Sequence, residues 1–547
     1  MAWPALALGD VLGITGQSFG TLQGLSLACL GALLLQAASQ ESEFTNFTNT
    51  RRPKRTGPKA WVKGFKIAGL FATAAMTSTW GWLYVSMHQY GGLPSWLACL
   101  AVVLLAMALA SYFAIAGGLW VLLYRRWLLN ARHQEGRYAT HPQSFLRKSE
   151  FNLAMAGAVL FAALWTLAEL ARGQWFTGFP WGVGGYAHVD SALVWLAPWI
   201  GVYGIGALSA TLAMAVAARK PPHWWPDWQW RQWGAALVLS LIVALALPWP
   251  GMRESARDKP MVVHLVQGNV PQDEKFQGRR AWSLTWYEAA LRSVEQGLVV
   301  TPETSLPYVQ QQLPPGYWQG LVDHFAQGER AALIGMPLYD LGVHTNSVLG
   351  LAGPVPPYRY DKHHLVPFGE FVPPLFQWFT RMMNIPLGEF GRGRVDPPSM
   401  AWQGQRLAPM ICYEDLFGEE LAQRFQDPAT SPTVLVNLSN LAWFGDTIAL
   451  DQHLQISRLR ALEFDRPVIR ATNTGSTAII DAQARVTHRL PASQEGVLQG
   501  EVMGRSGTLT PYARWVGEYG LAPLWALAIG LLWLPGRTRV RIDWRAS

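Results

Sequence analysis

The sequence predicts a multi-pass membrane protein carrying one α/β domain outside the membrane, and three observations lead there. The chain of 547 residues is 50% hydrophobic and only 15% charged, with 28 Trp, too apolar for an ordinary soluble protein. Apolar runs near the roughly 20 residues that cross a bilayer as a helix recur through the first half and once near the end. Between residues 252 and 517 the pattern changes to short β-branched runs alternating with helical periodicity, as in an α/β domain with a two-sided sheet.

The apolar runs cover residues 3–17, 22–38, 67–87, 96–124, 151–171, 192–218, 234–248 and 519–534. The first is interrupted by Asp10, and the seventh and eighth are short. The loops between them alternate in charge. Residues 41–66 hold seven Lys or Arg against two acids, 125–150 six against two, 219–231 three against one, and the tail from Arg537 four against one. The intervening loops 88–95 and 173–190 hold no Lys or Arg. The positive-inside rule then gives eight spans with both ends cytoplasmic and residues 252–517 on the far side of the cytoplasmic membrane. Three regions follow: a transmembrane region 1–251, an extramembranous domain 252–517, and a last helix with a short tail, 518–547. The first apolar stretch lacks a basic leader and a clear cleavage site, so an uncleaved signal is expected.

A formal charge of +8 could suggest nucleic acid, but its distribution excludes that reading. Residues 252–517 hold 23 Lys plus Arg against 26 Asp plus Glu, so the basic surplus belongs to the loops between spans.

Within the domain, strand-like runs lie at 262–266, 298–300, 332–334, 407–411, 433–436, 468–470 and 478–480. Helical patterns lie at 280–295, 318–327, 419–425 and 447–465. Cys412 closes the run 407–411, just before Tyr413, Glu414 and Asp415. A thiol delivered by a strand end is a nucleophile or a buried packing residue, and Cys412 alone leaves both open. Glu303, just after the run 298–300, and Lys362, within Asp361-Lys362-His363-His364, supply a base and a cation. A thiol is mostly protonated at neutral pH and nearby carboxylates hold it so; Glu303 could take its proton while Lys362 steadies first the thiolate and then an oxyanion.

The stretches Pro302-Glu303, Asp361 through Pro373 and Ile411-Cys412-Tyr413-Glu414 resemble the three catalytic stretches of the nitrilase superfamily. More narrowly, the chain is similar to the apolipoprotein N-acyltransferase family. The likeness extends to Val266-Gln267-Gly268-Asn269, Ser439-Asn440, Ala442-Trp443-Phe444-Gly445, Arg458 through Glu463, Leu509 through Arg514, and Thr177-Gly178-Phe179-Pro180-Trp181 between spans. The resemblance implies an eight-helix transmembrane bundle in the bacterial inner membrane, bearing a periplasmic nitrilase-like α/β domain built as an αββα sandwich. It also implies a two-step acyl transfer, from a phospholipid donor to Cys412 as a thioester and then to the α-amine of a diacylglyceryl-apolipoprotein. Glu303 is the base, Lys362 the oxyanion partner, and Glu370, Tyr413 and Glu414 line or support the site. Phe276 and Trp443 are candidate substrate contacts. No metal or cofactor is expected, and the chain is expected to act as a monomer among membrane lipids. Two positions depart from the family pattern: Phe276 stands where Trp is frequent, and Leu441 where a second Asn is common.

Other features have plainer readings. His363 and His364 lack a second cluster with ligand spacing. Glu169 lies three residues before Arg172, as an ion pair on one helix face requires. Cys29 and Cys99 are expected as packing residues within spans. Residues 372–390 are rich in apolar side chains and are expected either as an arm dipping into the outer leaflet or as core. A membrane-tethered amidase would use the same three residues on a small amide but has no need of eight spans, and a non-enzymatic lipid-binding or transport protein would have no need of the three residues.

Overall fold

The computed structural model describes residues 17–39, 57–137, 143–218, 260–372 and 390–533. The first expected span save its last residue, the seventh span, the interior of the apolar arm (373–389) and the C-terminal tail lie outside the described residues.

Among the described residues of the first half there are five long helices: α1 (Gln17–Ser39), α2 (Gly57–Thr79), α3 (Ser95–Arg137), α4 (Gln143–Gln174) and α5 (Ala197–Ala217). Among the described residues, four stretches are long and apolar enough to cross a membrane: Phe19–Ser39, Ser95–Leu129, Leu153–Thr177 and Ala192–Ala217. Helix α2 packs along α3, α3 on α4, α4 on α5, and α1 against α5 and α2.

The α2 boundary corrects the hydropathy reading, which starts the span at residue 67 and carries it to 87. Pro58 sits in the first turn, where a missing N–H costs nothing, and Lys59, Lys63 and Lys66 are helical, their apolar stems able to lie along the helix. Beyond Thr79 the chain turns and runs through a π-helical turn, Ser86–Tyr90. Cys29 and Cys99 are also corrected: both are exposed, because an apolar helix in a bundle buries one stripe and leaves its other faces outward. Glu169 and Arg172 form the expected pair at 2.6 Å, and Arg172 also donates to the Trp181 carbonyl at 3.0 Å, fixing the connection between α4 and α5.

The second half holds two six-stranded sheets. One runs β12 (Gly496–Val502), β1 (Met261–Gln267), β2 (Gly297–Val300), β3 (Arg330–Asp340), β4 (Val343–Ala352), β5 (Tyr358–Asp361). The other runs β11 (Val486–Arg489), β10 (Ala478–Ile480), β9 (Val468–Thr472), β8 (Val434–Ser439), β7 (Gln405–Ile411), β6 (Met400–Trp402). In each sheet the three central strands are parallel and the flanking ones antiparallel. Val263, Leu265, Val300 and Leu333 face Leu407, Ile411, Val436 and Ile469 in the layer between the sheets. Helices α6 (Arg280–Arg292) and α7 (Tyr317–Phe325) cover the outer face of the first sheet through Leu284, Leu291, Leu321 and Phe325. Helices α8 (Ala449–Phe464) and α9 (Pro511–Tyr519) cover the second through Leu454, Ala461, Tyr512 and Val516. The layers are therefore α-β-β-α. A short apolar helix, α10 (Ala522–Leu531), follows and rests on α4.

The two halves share a core. Trp80, Trp120, Trp165 and Trp181 belong to the same buried cluster as Tyr413, Leu416, Phe417, Ile456, Leu459 and Leu462. Polar bonds fix the register of this junction. Gln452 on α8 accepts the indole N–H of Trp82 (2.9 Å) and of Trp181 (2.7 Å) and donates to the Thr79 carbonyl (3.1 Å). Arg458 grips Asp190 at 2.5 and 3.0 Å. Gly201, at φ +61°, breaks α5 at a point where a Cβ would lie 2.1 Å from the Tyr512 ring. The break leaves the Val202 N–H free to donate to Glu463 on α8 at 2.7 Å.

Gln452→Ala leaves two indole N–H groups unpaired in a dry junction, at about 1–3 kcal/mol for each. We expect the midpoint of thermal inactivation of the full-length protein in detergent to fall by several degrees; an unchanged midpoint would show that Gln452 does not carry the junction.

Candidate active site

Three strand ends and one short loop converge on a single buried cluster. Glu303 follows β2 in a turn that lies directly on β3: a Cβ at Gly335 would come within 2.2 Å of the Pro302 carbonyl and 3.0 Å of the Glu303 Cα. The turn is drawn together by Thr301 and Ser305, whose hydroxyls lie 2.7 Å apart. Glu303 Oε1 accepts from Asn346 Nδ2 at 2.7 Å, and Oε2 accepts from the Asn440 backbone N–H at 2.9 Å. Those bonds fix the carboxylate without neutralising it.

Lys362 is the first residue after β5, and its N–H donates to the Asn346 carbonyl on β4 at 2.8 Å. Its side chain is 1% exposed, with Nζ 2.9 Å from Glu370 Oε1 and 3.4 Å from Glu303 Oε1. Burial disfavours the ammonium, but Glu370 and Glu303 outweigh it and hold the Lys362 pKa well above its ordinary value. Glu370 is fixed in turn by Asn346 Nδ2 (2.8 Å) and the Val366 N–H (2.9 Å). One ammonium thus serves two carboxylates, and one asparagine bridges the same pair.

Cys412 ends β7 and opens a 3-10 turn, Cys412–Leu416, with its backbone in the left-handed region at φ +53°. For a residue with a Cβ this costs of order 1–3 kcal/mol, and it appears where the surrounding structure holds it. The holding groups are Asn437 Nδ2, which donates to the Cys412 carbonyl at 3.1 Å, and His453 Nε2, 3.2 Å from the same oxygen. Arg470 donates to His453 Nδ1 at 2.7 Å, so the proton of this imidazole sits on Nε2, facing Cys412 and Asp415. The thiol is only partly exposed and packs against both the inter-sheet core and the junction core. Burial and then the Glu303 charge push it far above the ordinary thiol range, with Lys362 pulling the other way.

The remaining expected residues divide. Glu414 is a brace: it accepts from Tyr360 OH (2.6 Å), Ile411 N–H (2.6 Å), His363 N–H (2.7 Å) and His364 N–H (3.2 Å), tying the Lys362 turn to the Cys412 turn. Tyr413 points away from the carboxylates and donates to the Gly178 carbonyl at 2.9 Å, in the connection between α4 and α5. Phe276 and Trp443 are open, at 52% and 42% exposure, and connect to the cluster through the neighbours Lys275 and Asn440. Leu441 is fully buried, so the polar work of that stretch falls on Asn440, which also bonds Gln272 (2.7 Å) and Asn473 (2.9 Å). His363 Nδ1 lies 2.8 Å from the Gly393 carbonyl and His364 Nδ1 2.8 Å from Glu420, while His364 Nε2 is buried without a partner among the described residues.

Asn346, Asn437, His453 and Lys275 are not found by reasoning from sequence. Asn437 is one of two polar residues in a wholly buried strand, and Asn346 stands in the polar stretch His344-Thr345-Asn346-Ser347 at the point where β4 becomes buried, so only Asn437 carries a signal in the sequence.

Residues 50–215 match the family described as apolipoprotein N-acyltransferase N-terminal domain, and residues 216–509 match carbon-nitrogen hydrolase. A protein of Verminephrobacter eiseniae named apolipoprotein N-acyltransferase is 52% identical over 86% of this chain and 86% of its own length. One of Ralstonia nicotianae with the same name is 42% identical over 93% and 87%. Among solved structures, a CN-hydrolase superfamily protein from Xanthomonas campestris aligns with 45% of this chain and 91% of its own, at 19% identity and a TM-score of 0.35. With relatives this similar over most of its length and both halves matched, the chain belongs to the apolipoprotein N-acyltransferase family.

Proposed function

We propose that this chain transfers a fatty acyl group from a phospholipid to the α-amine of a diacylglyceryl-apolipoprotein, through a thioester on Cys412. What carries the reading is the position of Cys412: its thiol shares electrostatic neighbours Glu303, Lys362 and Glu370 and packs on the core that joins the domain to the apolar bundle. A soluble-substrate amidase needs the first of these features and not the second.

In the first step Glu303 takes the thiol proton as Sγ attacks the ester carbonyl carbon. The oxyanion forms beside Lys362 Nζ, the ester C–O bond breaks, and Glu303 returns the proton to the leaving alkoxide of the lysophospholipid. In the second step the amine nitrogen attacks the thioester and gives a proton to Glu303. The C–S bond breaks, the amide is formed, and the thiolate is reprotonated. Because burial and the Glu303 charge hold the resting thiol above the ordinary range, a base is needed within the same step. Glu370 keeps Lys362 charged, Glu414 holds the two turns together, and Tyr413 ties the Cys412 turn to the bundle. Phe276 and Trp443 contact the lipid or peptide. In this reading the chain comprises a transmembrane region 1–251, a periplasmic domain 252–517 and a final helix with its tail, 518–547. Eight spans hold it in a bacterial inner membrane as a monomer.

The test is acyl transfer from labelled phospholipid to a peptide bearing an N-terminal S-diacylglyceryl cysteine. Glu303→Gln and Lys362→Ala should each lower the rate by about 10²–10⁴-fold in protein that stays folded at the assay temperature, though with a lower thermal midpoint, and Cys412→Ala should abolish it. Ordinary rates in any of these purified variants would sink the assignment. Raising the pH from 7 to about 8 should partly restore Glu303→Gln, because hydroxide then supplies some thiolate; a rescue equally large in Lys362→Ala would contradict the division of roles.

A further inference from the structure

Lys275 is a buried lysine for which the two-step mechanism above has no task. It is 3% exposed, and its Nζ donates to the Glu303 main-chain carbonyl at 3.0 Å. It sits at the end of a loop zipped onto the second sheet. The Asn269 N–H donates to the Asn473 carbonyl (2.8 Å), the Val270 N–H to Asn473 Oδ1 (3.0 Å), and Gln272 accepts from Asn440 (2.7 Å), whose own N–H holds Glu303 Oε2. The charged or ionisable groups facing the ammonium are Glu303 from the turn after β2 and Cys412 from the end of β7; Lys362 and Glu370 lie beyond Glu303. The polar neighbours on its own loop and on the second sheet, Gln272, Asn440 and Asn473, are neutral.

A charge count shows what this lysine adds. Lys362 lies closer to Glu370 (2.9 Å) than to Glu303 (3.4 Å), so one ammonium is already shared by two carboxylates. When the thiol proton moves to Glu303, a thiolate replaces the Glu303 charge, so before and after the transfer Glu370 and one further anion stand against the single Lys362 ammonium, and the second anion ends on the sulfur. Lys275 supplies a second cation. It does so from the main-chain side of Glu303, through the carbonyl, so the carboxylate oxygens remain available to accept a proton.

We propose that Lys275 is a positioning residue for acyl transfer, its ammonium clamping the loop that carries Phe276 onto the Glu303 backbone and providing the second positive charge that lets the Cys412 thiolate form. The inference rests on the acyl-transfer reading for its role and on the geometry for its placement. Burial draws this ammonium down to about 8 against the pull of Glu303 and Cys412, so its charge is present at neutral pH and lost as the pH rises through that value.

The test follows acyl loading of full-length protein in mixed phosphatidylethanolamine–phosphatidylglycerol micelles without acceptor, from pH 6 to 10. Wild-type loading should decline above about pH 8, and Lys275→Met should be slower by roughly ten- to a hundredfold at pH 7 and lack that decline. Lys275→Arg should move the decline upward. Wild-type loading that keeps rising to pH 9.5 overturns the proposal without any variant. So does a Met variant with wild-type rates, or one slowed equally at every pH with the decline retained, which would mark Lys275 as structural only. If wild-type protein takes up no acyl group, the acyl-transfer reading fails, and the Lys275 inference is still read from alkylation of Cys412 by iodoacetamide: the Met variant must alkylate more slowly at pH 7, and equal rates overturn it.

Discussion

Two carboxylates share one buried ammonium, and the rest of the site exists to keep that arrangement charged and dry. An unpaired ion in such a cavity costs several kcal/mol, so Lys362 cannot be held there without Glu303 and Glu370, nor they without it. Asn346 bridges the acids because it stands on β4 directly beside the turn that begins at Lys362. Glu414 then ties that turn to the end of β7 through four donors, Tyr360 on β5, Ile411 on β7, and the His363 and His364 N–H groups of the turn itself. The strained backbone of Cys412 is the consequence: a thiol must leave its strand sharply to face the pair, and Asn437 and His453 hold its carbonyl while it does.

The same economy links the domain to the apolar bundle. His453 faces Cys412 on one side and stacks on Trp181 on the other, ring centres 5.5 Å apart and nearly parallel. Tyr413 reaches Gly178, and Gln452 reaches Trp82 and Trp181, so the connection between α4 and α5 is bonded to residues flanking the thiol. This face of the sandwich meets a cluster of tryptophans at the junction with the apolar bundle.

Much of this is legible in the sequence where burial is two-sided. The runs at 262–266, 298–300, 468–470 and, apart from Thr433, 433–436 lie in strands because parallel central strands are apolar on both faces, and 478–480 lies in the antiparallel but wholly buried β10. Glu303 and Cys412 are found because they follow or close such runs, and Lys362 because it stands in Asp361-Lys362-His363-His364, a stretch that resembles a nitrilase catalytic stretch. Strands β4, β5, β6, β11 and β12 go beyond the sequence reading: β12 alternates half-exposed residues at a sheet edge, and β11 is mostly exposed, so neither carries a sustained apolar signal. The matching plan of the two sheets is likewise invisible as a sequence repeat, since topology constrains burial and not identity. Helix α2 is displaced because hydropathy discards lysines that a helix end accommodates. Lys275 is missed for the opposite reason: a lysine three residues beyond Gln272 in a polar stretch reads as solvated, and only the fold turns it inward onto Glu303.

The central claim is that Cys412 carries the acyl group between two substrates, and one measurement addresses it directly. Purified protein is incubated with phospholipid alone, and its intact mass and peptide map are recorded before and after adding an S-diacylglyceryl cysteine peptide. The account predicts a mass gain of one fatty acyl chain on the peptide containing Cys412, labile to hydroxylamine and stable enough to isolate, then discharged onto a free-amine peptide and not onto a blocked one. Rapid release of free fatty acid, or transfer to the peptide with no adduct on Cys412 at any time, would contradict it.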